Sequence, residues 1–177
     1  MAETRPVLVV LGGLPGAGKS SVAEGVARQL PAAIISVDPI EAAMWRSGLE
    51  RSATGIAAYD VAVALAGEQL KAGLSAVADA VNPVESARAM WRELSAAHDA
   101  SLAFIEVVCS DRGLHQRRIE ARVRAIPGMS EITWEQVDAR TREFEPWAEP
   151  HLVLDSATDS PERLHAQAIA YIRAISS

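Results

Sequence analysis

The chain contains one cysteine, Cys109, and one asparagine, Asn82, and aromatic residues make up only 5% of its 177 positions. A lone cysteine excludes an internal disulfide and any metal cage built on paired thiolates. Its place at the end of an apolar run predicts a small core residue. His98, His115, His151 and His165 are scattered without ligand spacing, so no zinc or iron site is expected and these rings read as surface or capping groups. No apolar run approaches a membrane span, and the short one at Val7 to Leu11 lacks the pattern of a secretory leader. Cytoplasmic residence without a membrane partner is the default expectation. An excess of cations is missing as well. The net charge of −6 argues against a broad nucleic-acid surface, which needs clustered cations to displace counterions, and favours a small-molecule partner.

What is present is concentrated near the start. Residues 13 to 20 read Gly13, Leu14, Pro15, Gly16, Ala17, Gly18, Lys19 and Ser20, a full G-x-x-x-x-G-K-[ST] pattern. It lies between the run Val7 to Leu11 and a segment in which Val22, Ala23, Val26, Ala27 and Leu30 fall at helical spacing. Strand, glycine loop and helix start together aim backbone N–H groups and a positive dipole end at one point, which suits polyphosphate. Gly13, Gly16 and Gly18 permit angles and approaches that a Cβ would block. Lys19 can reach the β- and γ-phosphates, and the Ser20 hydroxyl can ligate Mg²⁺, with Ser21 a second candidate for that ligand. An ordinary glycine turn does not explain a lysine at a helix start, where a cation opposes the dipole.

At 49% hydrophobic and 23% charged, the chain suits one globular domain over residues 1–177. Strand-like runs recur at Val7 to Leu11, Ala33 to Val37, Leu74 to Asp79, Leu102 to Cys109 and Leu152 to Asp155. Helical patterns lie between them, at Lys19 to Gln29, Pro39 to Ser47, Ile56 to Ala72, Val84 to Ala97, Leu114 to Arg124, Trp134 to Trp147 and Pro161 to Ile175. Near-continuous apolar strands alternating with amphipathic helices predict an α/β domain with a five-stranded parallel sheet covered on both faces. Sheet-facing stripes are expected from Ile56, Tyr59, Val63 and Leu70, from Val84, Ala87, Trp91 and Leu94, and from Leu164, Ala168, Tyr171 and Ile175. The stretch Ile126 to Ile132, with Pro127 and Gly128, reads as a mobile connection.

In an open parallel sheet the ligand site lies at the carboxyl ends of the strands, so polar residues there become candidates. Asp38 ends the second run and precedes Pro39. It reads either as a helix N-cap or as a carboxylate that takes a proton from an attacking hydroxyl beside the phosphate loop. Asp79 ends the third run and is placed to hold Mg²⁺ or its waters. Asn82, before Pro83, reads as a turn residue or as a substrate contact. Arg112, Arg117, Arg118, Arg122 and Arg124 form a cationic stretch opposed only by Asp111 and Glu120, and it calls for an anionic partner. Arg118 and Arg122, four apart, share a helix face and suit a lid over the γ-phosphate or a stack on a nucleobase. Glu41, Trp45, Arg46, Trp134, Arg140, Phe144 and Trp147 are either core or substrate-pocket groups, with Trp45 and Arg46 preferred for the pocket because they follow Asp38.

The combination of Gly13 to Ser20, Asp38, the run Asp79-Ala80-Val81-Asn82 and the pair Arg118 and Arg122 resembles the P-loop kinases. The nearest branch is that of the small phosphotransferases related to polynucleotide kinase, gluconate kinase and chloramphenicol phosphotransferase. The resemblance spans essentially the whole chain. It implies a three-layer α/β sandwich with strand order 2-3-1-4-5 and a helical lid around residues 112–132. It also implies transfer of the ATP γ-phosphoryl group, with Mg²⁺, to a hydroxyl of a small molecule, such as an antibiotic or other secondary metabolite. Lys19 and Ser20 would then handle phosphates and metal, Asp38 would be the general base, Arg122 would close over the transferring group, and Arg118 would contact the base or β-phosphate. Many relatives read Asp-x-Thr-Asn where Val81 replaces the threonine here, which removes a hydroxyl near the acceptor. Three other classes share a phosphate loop. A regulatory GTPase lacks its Asn-Lys-x-Asp guanine reader, a mechanochemical ATPase of the AAA+ type lacks an Asp-Glu pair at Asp79-Ala80, and a nucleotide-binding module or NTPase without transfer has no use for a base at Asp38. A polynucleotide or nucleoside 5′-hydroxyl kinase remains as an alternative within the same class.

Overall fold

The computed structural model describes residues 5–176. Five strands, β1 (Val7–Gly12), β2 (Ala32–Ser36), β3 (Ser75–Asp79), β4 (Ser101–Val108) and β5 (Leu152–Asp155), build one sheet in the order β2-β3-β1-β4-β5. All neighbouring pairs are parallel. The helices are α1 (Lys19–Gln29), α2 (Val37–Arg46), α3 (Arg51–Lys71), α4 (Glu85–Ala97), α5 (Arg112–Ala121), α6 (Trp134–Thr141) and α7 (Pro161–Ile175).

Side chains alternate across the sheet, and the core splits accordingly. Val7, Val9 and Leu11 of β1 face a cluster with Val22 and Val26 of α1 and Leu164 and Ala168 of α7. Leu8 and Val10 face the opposite cluster, with Ala58, Ala62 and Leu70 of α3, Trp91 of α4 and Phe104 of β4. Three layers result, with β1 buried along its whole length. No helix among the described residues is long and apolar enough to cross a membrane.

Several expectations change. The buried stripe of α3 is Thr54, Ala58, Ala62, Ala66 and Leu70, whereas Ile56 is 78% exposed. Alanines at four-residue spacing let this helix lie close to the sheet; Leu70, Tyr59 and Val63 meet the core as expected, and Ile56 alone is misplaced by hydrophobicity. Helix α6 stops at Thr141, and Trp147 lies in the following loop, edge-on to Phe104 at 5.4 Å. Cys109 falls just past β4 and is half-buried rather than core. His115 is buried, contrary to the surface reading, while His98 does cap the end of α4.

Asn82 carries the join between β1 and β3. It is fully buried with φ 50°, in the left-handed region. Its Nδ2 donates to the Leu11 carbonyl at 2.7 Å and its Oδ1 accepts from Trp91 Nε1 at 2.9 Å. Arg88, buried beside it, donates to the carbonyls of Asn82 and Pro146 and so holds the loop that carries Trp147. The substrate reading of Asn82 is therefore corrected to a structural one. Asn82→Ala should lose roughly 2–4 kcal/mol in chemical denaturation, because two buried partners are left unpaired and the left-handed backbone is strained.

Candidate active site

The register puts Asp79 opposite both Leu11 and Ser36, so the carboxyl ends of β1, β2 and β3 meet at one edge. The phosphate-binding loop leaves β1 at this edge. Gly13, Gly16 and Gly18 have φ of 129°, 81° and 107°. A Cβ at Gly13 would overlap the Val107 carbonyl oxygen, a close approach that glycine alone allows. The Gly13 N–H donates to the Val81 carbonyl at 3.0 Å, which ties the loop to the segment after β3. His115 supports the loop from α5, its Nε2 lying 2.7 Å from the Pro15 carbonyl. A carbonyl only accepts, so this ring carries its proton on Nε2.

The start of α1 is open. Its N-cap is Gly18. It has no side-chain cap and no acidic residue in its first turn, features shared by α3, whereas Asp111, Thr133 and Ser160 cap α5, α6 and α7. Free N–H groups and the dipole therefore point into the loop. Lys19 Nζ donates to the carbonyls of Gly13 and Leu14 at 2.8 and 3.1 Å. Desolvation pushes its ammonium below the ordinary value, the carboxylates of Asp79 and Asp38 oppose that shift, and Arg122 and Arg124 reinforce it. Arg122 is likewise pushed down, by burial first and then by Arg124. These cations repel one another where an anion would relieve them.

Ser20 Oγ donates to Asp79 Oδ2 at 2.9 Å, and Ser36 Oγ reaches the same oxygen at 3.4 Å. Asp79 is buried. Among the described residues no group of three or more His, Cys, Asp or Glu could hold a metal ion. One hydroxyl and one carboxylate beside a phosphate cradle fit Mg²⁺, which keeps waters and takes its remaining ligands from substrate phosphates. Ser21 is placed elsewhere, exposed and 3.5 Å from His165 Nε2, which removes it from the metal position.

Asp38 sits in the first turn of α2, two residues beyond the N-cap Ser36, so it neither ends β2 nor caps the helix. It forms an ion pair with Arg124, whose backbone N–H donates to Glu131 Oε1 at 2.7 Å. The paired arginines separate. Helix α5 ends at Ala121, and Arg122 is its extended C-cap with ψ 132°, turned toward Asp38 and Lys19. Arg118 instead donates to Ser156 Oγ and the Ser156 carbonyl at 2.7 and 2.9 Å, in the turn after β5 that approaches Gly18. The expectation of one shared arginine face is thus overturned by the helix end.

A cavity of about 1000 Å³ opens beside Pro15, Asp38 and Arg122, enclosed by α2, α3, the start of α4 and the segment 122–143. Trp45, Glu41 and Arg140 line it. Arg46 does not line it: its guanidinium donates to the Pro127 carbonyl and its aliphatic stem packs over Gly128, tying the 126–132 stretch to α2. Trp134 instead supports His115, edge-on at 5.3 Å. Tyr59, assigned to the sheet by its spacing, lines the cavity and accepts from the Asn82 N–H at 3.1 Å.

The strand order and the loop between β1 and α1 define a P-loop kinase-like α/β protein. An AAA-domain family model matches residues 8–147, and the chain belongs to that family. The uncharacterized protein Rv2004c of Mycobacterium tuberculosis is 34% identical over 115 residues, covering 58% of this chain but 23% of that protein. The chain thus matches under a quarter of that relative's length. Solved structures similar in fold include a sugar kinase from Janibacter sp. (TM-score 0.73, 18% identity, 95% of each chain). A gluconokinase from Sinorhizobium meliloti has TM-score 0.69 at 18% identity, over 97% of this chain and 94% of that one. The Mycobacterium tuberculosis APS kinase CysC, solved with AMPPNP and APS, has TM-score 0.71 at 22% identity, over 98% and 99%.

Burial raises the Tyr59 hydroxyl from 10.0 to about 12, with the carboxylates of Asp38 and Glu41 adding to the shift and the Asn82 N–H opposing it. The unfolded phenol ionises first, so this contribution to stability is complete below about pH 10 and declines as the pH rises toward 12. Relative to Tyr59→Phe, the wild type should lose on the order of 2–3 kcal/mol more in denaturation across that window.

Proposed function

We propose that this chain is an ATP-dependent phosphotransferase that moves the γ-phosphoryl group to a hydroxyl of a small molecule, an antibiotic or another secondary metabolite being one candidate class. The observation that carries this reading is the position of Asp38. Its carboxylate borders a cavity large enough for an organic acceptor, on the side shared by Pro15 of the phosphate loop and Arg122. A module that only binds nucleotide has no need of an acidic group facing a second ligand space.

In this reading the backbone N–H groups of residues 16–20 and the Lys19 ammonium hold the β- and γ-phosphates, and Ser20 and Asp79 hold Mg²⁺. The metal supplies charge neutralisation to the phosphates. Asp38 accepts the acceptor's hydroxyl proton while the new O–P bond forms and the bond to the β-phosphate oxygen breaks, releasing ADP. Arg122 stabilises charge on the transferring group. Arg124 orients the Asp38 carboxylate through their ion pair. Arg118, fixed near Gly18 by Ser156, lies on the nucleotide side. Residues 112–132 act as a lid that excludes water on closure, and the reaction belongs in the cytoplasm, where ATP and Mg²⁺ are available.

The test is transfer of labelled γ-phosphate from Mg-ATP to a panel of nucleosides, sugars, aromatic diols and a 5′-hydroxyl oligonucleotide. Asp38→Asn should retain ATP binding and lose roughly 10²–10⁴-fold in turnover. Full transfer by that variant would remove Asp38 as the base. Lys19→Ala should lose transfer on the order of 10²-fold or more, with a comparable effect for every acceptor in the panel.

A further inference from the structure

The polar groups on the acceptor side of the cavity are largely committed to one another. Trp45 Nε1 donates to Thr54 Oγ1 at 2.7 Å, and that hydroxyl donates to Glu41 Oε1 at 3.0 Å. Arg51 stacks over the Trp45 ring at 4.2 Å. The Tyr59 hydroxyl is engaged by the Asn82 N–H, and Asp38 by Arg124. Asp60, Ser86, Ser130, Glu131, Gln136, Arg140 and Glu143 also border the cavity but are exposed, so water reaches their polar ends without a ligand.

Apart from Arg122 on the phosphate side, the rest of the lining is apolar. Ile56 of α3, Val84 at the α4 N-cap, Met90 of α4, and Met129 and Ile132 from the opposite segment all line the same space. They come from three separate parts of the chain, and Ile56 is 78% exposed. A polyhydroxylated sugar or sugar acid needs a polar partner for nearly every oxygen it gives up to burial. This wall offers few. A ligand with an apolar face covers Ile56, Val84 and Met90 without stranding a hydroxyl, and methionine adapts to aromatic shapes.

Building on the phosphotransferase reading, we propose that the acceptor is an alcohol with a broad aromatic or alicyclic body and few other hydroxyls. Ile56, Val84 and Met90 are then the residues that set its selection. The hydroxyl points to Asp38, and the body lies along α3 and the start of α4.

Two aryl alcohols, 2-(2-naphthyl)ethanol and 3-phenyl-1,2-propanediol, are compared with glucose and gluconate. Binding is measured by calorimetry with Mg-AMPPNP present, and transfer by labelled phosphate from Mg-ATP. The wild type should bind the aryl alcohols at least tenfold more tightly than the sugars. Ile56→Asp, at an exposed helical position, should weaken naphthylethanol binding tenfold or more without changing Mg-AMPPNP affinity, and Met90→Gln should act in the same direction. Tighter binding of glucose or gluconate, no binding of either aryl alcohol, or unchanged naphthylethanol affinity in Ile56→Asp would overturn the proposal. Aryl-alcohol binding sensitive to Ile56→Asp but without labelled product sustains the cavity assignment and defeats phosphoryl transfer. Labelled gluconate insensitive to Ile56→Asp does the reverse.

Discussion

The closure between the ends of β1 and β3 is the constraint on which the site depends. Asn82 Nδ2 on the Leu11 carbonyl and the Gly13 N–H on the Val81 carbonyl bind the two strands just where β1 turns into the phosphate loop. Asp79 is thereby brought under Ser20, and Val81, Pro83 and Val84 become part of the wall of the neighbouring cavity. Trp91 and Arg88 enclose Asn82 from α4, so the geometry of the loop is tied to the core rather than left to a surface turn. A buried amide with both ends satisfied specifies one register, because a shift by a residue would strand both partners.

Around this closure the charges are arranged unevenly. The open start of α1, Lys19, Arg122 and Arg124 converge on one side, and the carboxylates of Asp38 and Asp79 sit within their field. The result favours an anion that brings several negative oxygens at once. The neighbouring cavity has a different character, with internally satisfied polar groups and apolar walls from α3, α4 and the segment after α5. Two regions of unlike chemistry thus meet at Asp38, one rich in charge and backbone dipoles, the other a cavity with an apolar wall.

Much of the frame was readable from residue patterns. The five apolar runs are the five strands within a few residues, the expected order 2-3-1-4-5 holds, and α1 and α7 start and stop as expected. The errors have specific causes. Spacing places Ile56 inward because an alanine stripe carries little hydrophobic signal beside an isoleucine, yet small side chains are what allow α3 to approach the sheet. Arg118 and Arg122 were placed on one face because four-residue spacing assumes that the helix continues, and it ends at Ala121. Asn82 looked like a turn or a ligand contact, and nothing nearby in sequence announced Leu11 and Trp91 as its partners.

The sequence by itself determined the phosphate loop, its strand and its helix, because glycine freedom, a lysine and a hydroxyl act through contiguous backbone and need no distant partner. It also determined the layered α/β class, since the alternation of apolar runs and helical stripes leaves few ways to cover a parallel sheet. Only the tertiary structure decided that Asp38 pairs with Arg124, 86 positions away, that Arg118 is bound to Ser156, and that Ile56 and Met90 share a cavity wall. Those contacts join segments far apart along the chain. Their pairing follows from how the helices pack and where they end, which is set by the whole core rather than by any local pattern.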